Sequence, residues 1–361
     1  MSQASQTTEP TGQIVWRSAW IANPWFDSIF FIGAPIWAVA IATICAQGWV
    51  PAPGATDAVT RFGFWAVVVS TVFTHGHLPL VFIRSHANPK IFALYPARFT
   101  LVPLALFIAC AVSPVILTFA LVLGVWWDVY HSAAQTFGLG RIYDMRAGNP
   151  SQEARSLDWW LNVVVYFGPI LGGATLAPHM APFGRFEEIG FVALSQVPAH
   201  AEGFAGTLTW LSLIAGAGMC SWYVWRYVQL ARAGYAVSIQ KVTLVAGTTF
   251  SLLLCWAFNP FGIAFMAVNL FHAVQYYAIV WQQERKGGVQ KRLGIEDAER
   301  AGIVLFVGML LLGTVYGLAF VANKAFDGPQ WLASLFVTCT LMHFWYDGFV
   351  WSVRKGQIAK S

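Results

Sequence analysis

Seven ionisable side chains lie inside otherwise apolar stretches of this 361-residue chain: His75, His77, Asp128, His131, His272, His343 and Asp347. Their spacing is helical. Asp128 and His131 stand three residues apart and His131 and Gln135 four, so the three share a helix face. Asn269, His272 and Gln275 repeat the three-residue step, and His343 and Asp347 are four apart. Carboxylate and imidazole one turn apart on several inward-facing helices is how helical bundles build dinuclear iron or manganese sites. Oxygen and nitrogen donors without thiolate suit iron, manganese or zinc. The expectation is a site for one or two iron ions, with manganese or zinc as the other metals this donor set accepts. All seven residues are its candidate ligands. Gln135, Asn269 and Gln275 are expected to orient ligands by hydrogen bonding. Tyr130 and Tyr346 adjoin ligands and are the candidates for proton or electron transfer.

Each of these residues also has an ordinary reading. A lone intramembrane histidine commonly donates to a backbone carbonyl of a neighbouring helix. Aspartate is harder to explain away, because a charge at that depth costs on the order of 2.5–3.5 kcal/mol on the lenient insertion scale. Asp128 and Asp347 therefore need partners. His75 and His77 present a difficulty, since residues two apart on a regular helix point about 200° from one another. Gly76 between them and Pro79 after them could distort the helix enough to bring both near one site.

The elements that must position these residues are membrane helices. Hydrophobic residues make up 57% of the chain and charged residues only 10%, where a soluble protein carries roughly a quarter charged. Apolar runs of bilayer-spanning length recur from Ile29 almost to the C-terminus. The expected class is an all-α, polytopic helical bundle of ten spans, at about 28–47, 62–84, 99–112, 115–140, 157–177, 205–230, 242–258, 261–283, 301–322 and 331–353. A polar tail over 1–24 precedes one transmembrane domain over 25–353, and a second tail covers 354–361. Ser113-Pro114 divides the third span from the fourth, and Asn259-Pro260-Phe261-Gly262 marks a tight turn between the seventh and eighth.

Charge orients the spans. With both termini on one side, that side receives eighteen Lys and Arg and the other receives three (Arg61, Arg185 and Lys324), which accounts for all 21. Such asymmetry identifies the richer side as cytoplasmic. All seven candidate ligands then fall on the second, fourth, eighth and tenth spans. They lie about 7–13 residues from the cytoplasmic end, roughly 10–20 Å deep. His86, His179 and His200 fall outside the spans. No signal peptide is expected, and the five cysteines read as small buried hydrophobes. The net charge of +5 forms no patch, so no nucleic-acid partner is expected. The basic loop "QQERKGGVQKRLGIEDAER" (282–300) reads as a solvated connection, with an electron donor or anionic headgroups as its candidate partners.

The histidine pattern resembles that of polytopic membrane oxygenases with histidine-rich non-haem iron centres. The segments "NLFHAVQYYAIVWQQER" (269–285) and "DSIFFIGAP" (27–35) are similar to the bacterial membrane β-carotene dioxygenase family. The similarity covers about a tenth of the chain. That family's histidine-aspartate segment near its first helix has no counterpart, and the HxxxH and HxxHH boxes of membrane desaturases are absent. The resemblance implies metal and oxygen chemistry and names no substrate; the expectation for the chain as a whole is O2-dependent oxidation of a hydrophobic, lipid-like substrate in a bacterial inner membrane, with a cytoplasmic electron donor where electrons are needed. Three other readings remain open. They are a proton-coupled or metal-ion transporter built on intramembrane Asp and His, a haem b cytochrome with axial histidines, and a structural or assembly protein.

Overall fold

The computed structural model describes residues 13–46, 68–286 and 288–351. The first half of the expected N-terminal tail, the start of the second span and the C-terminal tail lie outside them. The described chain is helical almost throughout. Its only sheet is a two-residue parallel pair, Trp16–Arg17 beside Val237–Ser238. The principal helices are α1 (Ala34–Ala46), α2 (68–76), α3 (Pro96–Val112), α4 (Pro114–Arg146), α5 (Arg155–Leu171), α6 (Ala205–Arg232), α7 (Ile239–Leu252), α8 (Phe261–Glu284), α9 (Ala298–Ala325) and α10 (Gln330–Val350).

Local sequence explains where several begin. Ser113 caps α4, its hydroxyl accepting from the Ile116 amide at 3.3 Å, and Pro114 takes the first helical position. Pro260 precedes α8 directly. Asp297 accepts from the Glu299 and Arg300 amides at the start of α9. At 33 residues α4 is about 50 Å long, well beyond a hydrocarbon core of about 30 Å. It continues past the expected end at 140 and carries Arg141, Tyr143 and Asp144 with it.

Four helices (α4, α7 with its terminal π turn Leu253–Ala257, α8 and α9) are long and apolar enough to cross a membrane. Three bent pairs raise the number to seven among the described residues, against the ten expected. The differences have local causes. The second expected span is only partly described and breaks at His77. The third forms a helix of 17 residues. α10 has the length, but His343, Tyr346 and Asp347 dilute its apolar run. The expected outer loop between the fifth and sixth spans is itself helical, with short helices bent by 101° from α5 and by 68° into α6.

α8 is the central element, with 83% of its apolar window buried against at most 44% in the other three. One hydrophobic cluster joins it to α1, α5 and the end of α7, and another joins it to α3, α9, α10 and residues 78–91. At one end of the bundle α4, α5 and α7 are tied by four buried charges. Arg141 Nη1 reaches Asp144 at 2.8 Å and Asp158 at 2.7 Å, while Lys241 Nζ reaches the same carboxylates at 2.6 and 2.7 Å. Tyr223 donates to Asp158 at 3.0 Å. Two cations and two anions cancel. Removing one member leaves an uncompensated buried charge, which costs about 3–5 kcal/mol. Asp158→Ala is therefore expected to lower the Tm of the detergent-solubilised protein sharply, and Asp158→Leu combined with Lys241→Met to recover much of the loss. An unchanged Tm in Asp158→Ala would show that these charges do not clamp the helices.

Candidate metal centre

Four helical segments deliver one imidazole each to a common point. α2 ends at His77, where Gly76, Pro79 and a 3-10 turn over Leu78–Leu80 interrupt the helix. Glycine is required at 76 because α9 crosses there. A Cβ on Gly76 would stand 2.5 Å from the Gly313 carbonyl oxygen. His131 comes from the middle of α4, His272 from α8 and His343 from α10. All four are at most 3% exposed. Their rings form a closed circuit. Centroids lie 5.0 Å apart for His77–His272, 4.9 Å for His272–His131, 4.7 Å for His131–His343 and 4.8 Å for His343–His77. Adjacent planes cross at 68–86°.

The hydrogen bonds of these rings show which nitrogens face inward. His343 Nδ1 is 3.1 Å from the Leu78 carbonyl, and His77 Nδ1 bonds the Thr74 carbonyl. Each is thereby held in the tautomer that leaves Nε2 as a free donor atom. His77 Nε2 and both ring nitrogens of His272 are buried without a hydrogen-bond partner among the described residues. His343 Nε2 and His131 Nε2 stand 3.1 Å apart. Two nitrogens held at 2.0–2.1 Å by one ion would be separated by about 3 Å. A single proton shared between His131 and His343 could satisfy that pair, but it would do nothing for His77 and His272.

Asp347 completes the set. Its Oδ1 accepts from Tyr276 Oη at 2.9 Å and from Trp351 Nε1 at 2.8 Å. Oδ2 then faces His131 Nε2 at 3.7 Å and His343 Nε2 at 3.8 Å, too far for hydrogen bonds but close enough to share an ion. Two groups of three candidate ligand atoms therefore exist, each within 4.8 Å: His77, His272 and His343, and His131, His343 and Asp347. His343 belongs to both.

Two of the expected ligands are placed elsewhere. His75 points away from His77, stacking on Phe320 at 3.8 Å and bonding the Thr71 carbonyl at 2.9 Å, so the i,i+2 spacing separates the two despite the break. Asp128 belongs to neither group of candidate ligand atoms and lies within electrostatic range of Tyr166 on α5. It makes no hydrogen bond or ion pair among the described residues. The residues expected to orient ligands act on backbone instead. Gln135 donates to the His272 carbonyl and to Gln275, each at 3.1 Å, which fastens α4 to α8. Gln275 donates to Phe31 O at 2.8 Å and Asn269 to Phe265 O at 3.0 Å. Tyr346 donates to Arg98 O at 3.3 Å, away from the rings, whereas Tyr130 lies on the cavity wall with its ring against Trp159. Outside the cluster, His86 bonds Phe99 O at 2.9 Å, and burial pushes its imidazole below the ordinary histidine range. His179 packs on Trp256 and His200 bonds Gln196 O at 2.7 Å.

The sequence reading missed Tyr276 and Trp351, although each lies one turn from a ligand, at His272+4 and Asp347+4. A cavity of about 660 Å³ adjoins the cluster and is lined at that end by His131, Tyr276, Phe344 and Asp347.

This placement separates the histidines and aspartates experimentally. His77→Ala and Asp347→Ala are expected to abolish tight metal binding, and Tyr276→Phe to weaken it about 10–100-fold. His75→Ala and Asp128→Ala should retain the metal. Equal loss from His75→Ala and His77→Ala, measured on folded protein by metal analysis, would overturn the assignment.

Compared with known proteins, the chain matches no family model, no curated protein and no solved structure, so what it does must be read from its own side chains.

Proposed function

We propose that this chain is an integral membrane non-haem metalloenzyme that uses O2 to oxidise a hydrophobic, lipid-like substrate. The observation that carries the reading is the convergence of unpartnered imidazole nitrogens at one buried point. An unsatisfied buried polar group costs about 1–3 kcal/mol. A cation bound by His77 Nε2 and one ring nitrogen of His272 would satisfy two of these atoms. The proposed topology is ten spans with both termini cytoplasmic, in accord with the distribution of Lys and Arg.

The candidate ligands are His77, His131, His272, His343 and Asp347, which fall into two overlapping groups of three, with one ion held by either group at a time and not two. His343 has a single free nitrogen because Leu78 occupies the other, and both candidate groups require it. An ion held by His131, His343 and Asp347 would be within reach of a small molecule entering the cavity that His131 and Asp347 line. Neutral imidazoles with one carboxylate and no thiolate suit iron, and also manganese or zinc. Iron in such a site supplies oxygen activation. The chain's own residues hold the donor set, and Tyr276 steadies the carboxylate. Insertion of one oxygen atom consumes two electrons, for which a donor at the cytoplasmic face is proposed. Incorporation of both oxygen atoms consumes none.

Haem is disfavoured by the packing. Axial nitrogens stand about 4 Å apart with the macrocycle between them, whereas these four rings touch one another with no slot. Transport has one observation in its favour, the unpartnered Asp128, since intramembrane carboxylates also carry protons and cations. That reading predicts ion flux in proteoliposomes, abolished by Asp128→Asn. Flux unaffected by that change would remove its support.

The deciding experiment is the metal content and optical spectrum of purified protein. One tightly held iron per chain, no Soret band, and loss of the metal in His131→Ala and Asp347→Ala are expected. A stoichiometry of two would overturn the single centre. Metal-free protein, with both variants folded, would overturn the metalloenzyme.

A further inference from the structure

The cavity next to the cluster has two chemically different ends. Along α4 it is lined from Tyr130 and His131, past Gln135 and Phe137, to Arg141. Ten residues separate His131 from Arg141, about 15 Å of helix. The walls between are apolar, with Phe137, Trp159, Ile279 and Phe349 among them. The far end is lined by Arg141, Ser151, Arg155 and Ser156, and Arg155 and Ser156 are exposed there. Of the residues lining the whole cavity, Asp347 at the cluster end is the only carboxylate.

The far end is therefore rich in donors and holds no acidic acceptor. Arg155 lies over the Phe137 ring at 5.1 Å and forms no ion pair among the described residues. Arg141 spends Nη1 on Asp144 and Asp158 and Nη2 on the carbonyls of Pro150 and Ser151. Its Nε is buried without an acceptor, on a side chain 4% exposed.

We propose that the cavity binds a single-chain anionic amphiphile. Its carboxylate or phosphate lies at Arg155 and the Nε of Arg141, and its apolar chain runs between α4 and α10 toward His131 and Asp347. The role of that chain as substrate rests on the metalloenzyme reading; the binding does not. Guanidinium–anion hydrogen bonds are charge-assisted and are stronger where the surroundings are apolar. Arg155 would then set how far from the head group the chain meets the cluster, which makes it a specificity-determining residue.

The test measures binding of radiolabelled oleate to the detergent-purified protein, with oleyl alcohol as the uncharged control and lysophosphatidate as the phosphate-headed competitor. Oleate is expected to bind and oleyl alcohol to bind much more weakly. Arg155→Gln should weaken oleate by roughly tenfold or more, and Arg155→Lys should retain most of the affinity. Displacement by lysophosphatidate more effective than by unlabelled oleate would assign the head as phosphate, and the reverse order as carboxylate. The metal content of Arg155→Gln should equal that of the wild type, and His131→Ala should lose metal while still binding oleate. Equal binding of oleate and oleyl alcohol, or oleate binding untouched by Arg155→Gln, would overturn this proposal and leave the metal centre standing. Wild-type protein that binds oleate through Arg155 but holds no metal would overturn the metalloenzyme alone.

Discussion

An imidazole has two ring nitrogens, and in the dry interior of a helical bundle each must find a partner or carry the cost of having none. The architecture around His77, His131, His272 and His343 follows from that constraint. Two of the rings direct Nδ1 to backbone carbonyls, at Thr74 and Leu78, and so expose Nε2 to one another. Backbone carbonyls in a regular helix are already engaged, and the break after Gly76 is what presents Leu78 to α10. The same break needs glycine, because α9 passes within contact distance of position 76. Irregular backbone at membrane depth is tolerated where it is buried in protein, and this segment is buried: Leu78, Pro79, Leu80 and Val81 are all shielded.

Holding each of four rings about 5 Å from the next requires that their helices cannot slide. α8 lies at the centre and is anchored on both sides, by Gln135 from α4 and by the contact of Gln275 with Phe31. Beyond the cluster, toward the polar ends of the helices, two buried ionic groups do the fastening. Arg84 pairs with Glu284, donates to Val350 O at 3.1 Å and lies over Trp351, tying residues 81–85 to the ends of α8 and α10. Arg141, Asp144, Asp158 and Lys241 do the same for α4, α5 and α7. Trp351 links the two levels, since its ring faces Arg84 while its indole N–H holds Asp347. Arg141 joins the charge cluster to the cavity in the same way.

Much of the site was legible in the chain. A polar residue in an apolar run stands out, and depth along a helix can be counted from the nearest charge. His77, His131, His272, His343 and Asp347 could therefore be grouped from residue type and position alone. Direction around the helix axis was less legible. His75 stacks on Phe320 because two residues along a helix turn a side chain about 200° from His77, and Asp128, three residues from His131, falls outside the candidate groups. Gln135 and Gln275 have the spacing of imidazole partners, yet they hold backbone and each other. An amide side chain beside a ligand can reach several acceptors, and its choice depends on distances that spacing alone does not contain. Tyr276 and Trp351 escaped notice because an aromatic residue in a membrane helix usually reports an interface or a lipid-facing surface.

The sequence by itself determined the helical class, the apolar segments and the residues that had to be explained, because hydropathy and charge are properties of the chain. Whether 28–47, 62–84 or 331–353 runs as an unbroken helix was not decided there, since breaks and bends depend on what packs across them. Only the tertiary structure decided which nitrogens meet. It joined residues 77, 131, 272 and 343 across helices far apart in sequence, used the Leu78 carbonyl to leave His343 one free nitrogen, and opened the cavity between α4 and α10. The physical reason is that a ligand set is defined by distances of a few ångströms between helices, and crossing points such as Gly76 against Gly313 set those distances.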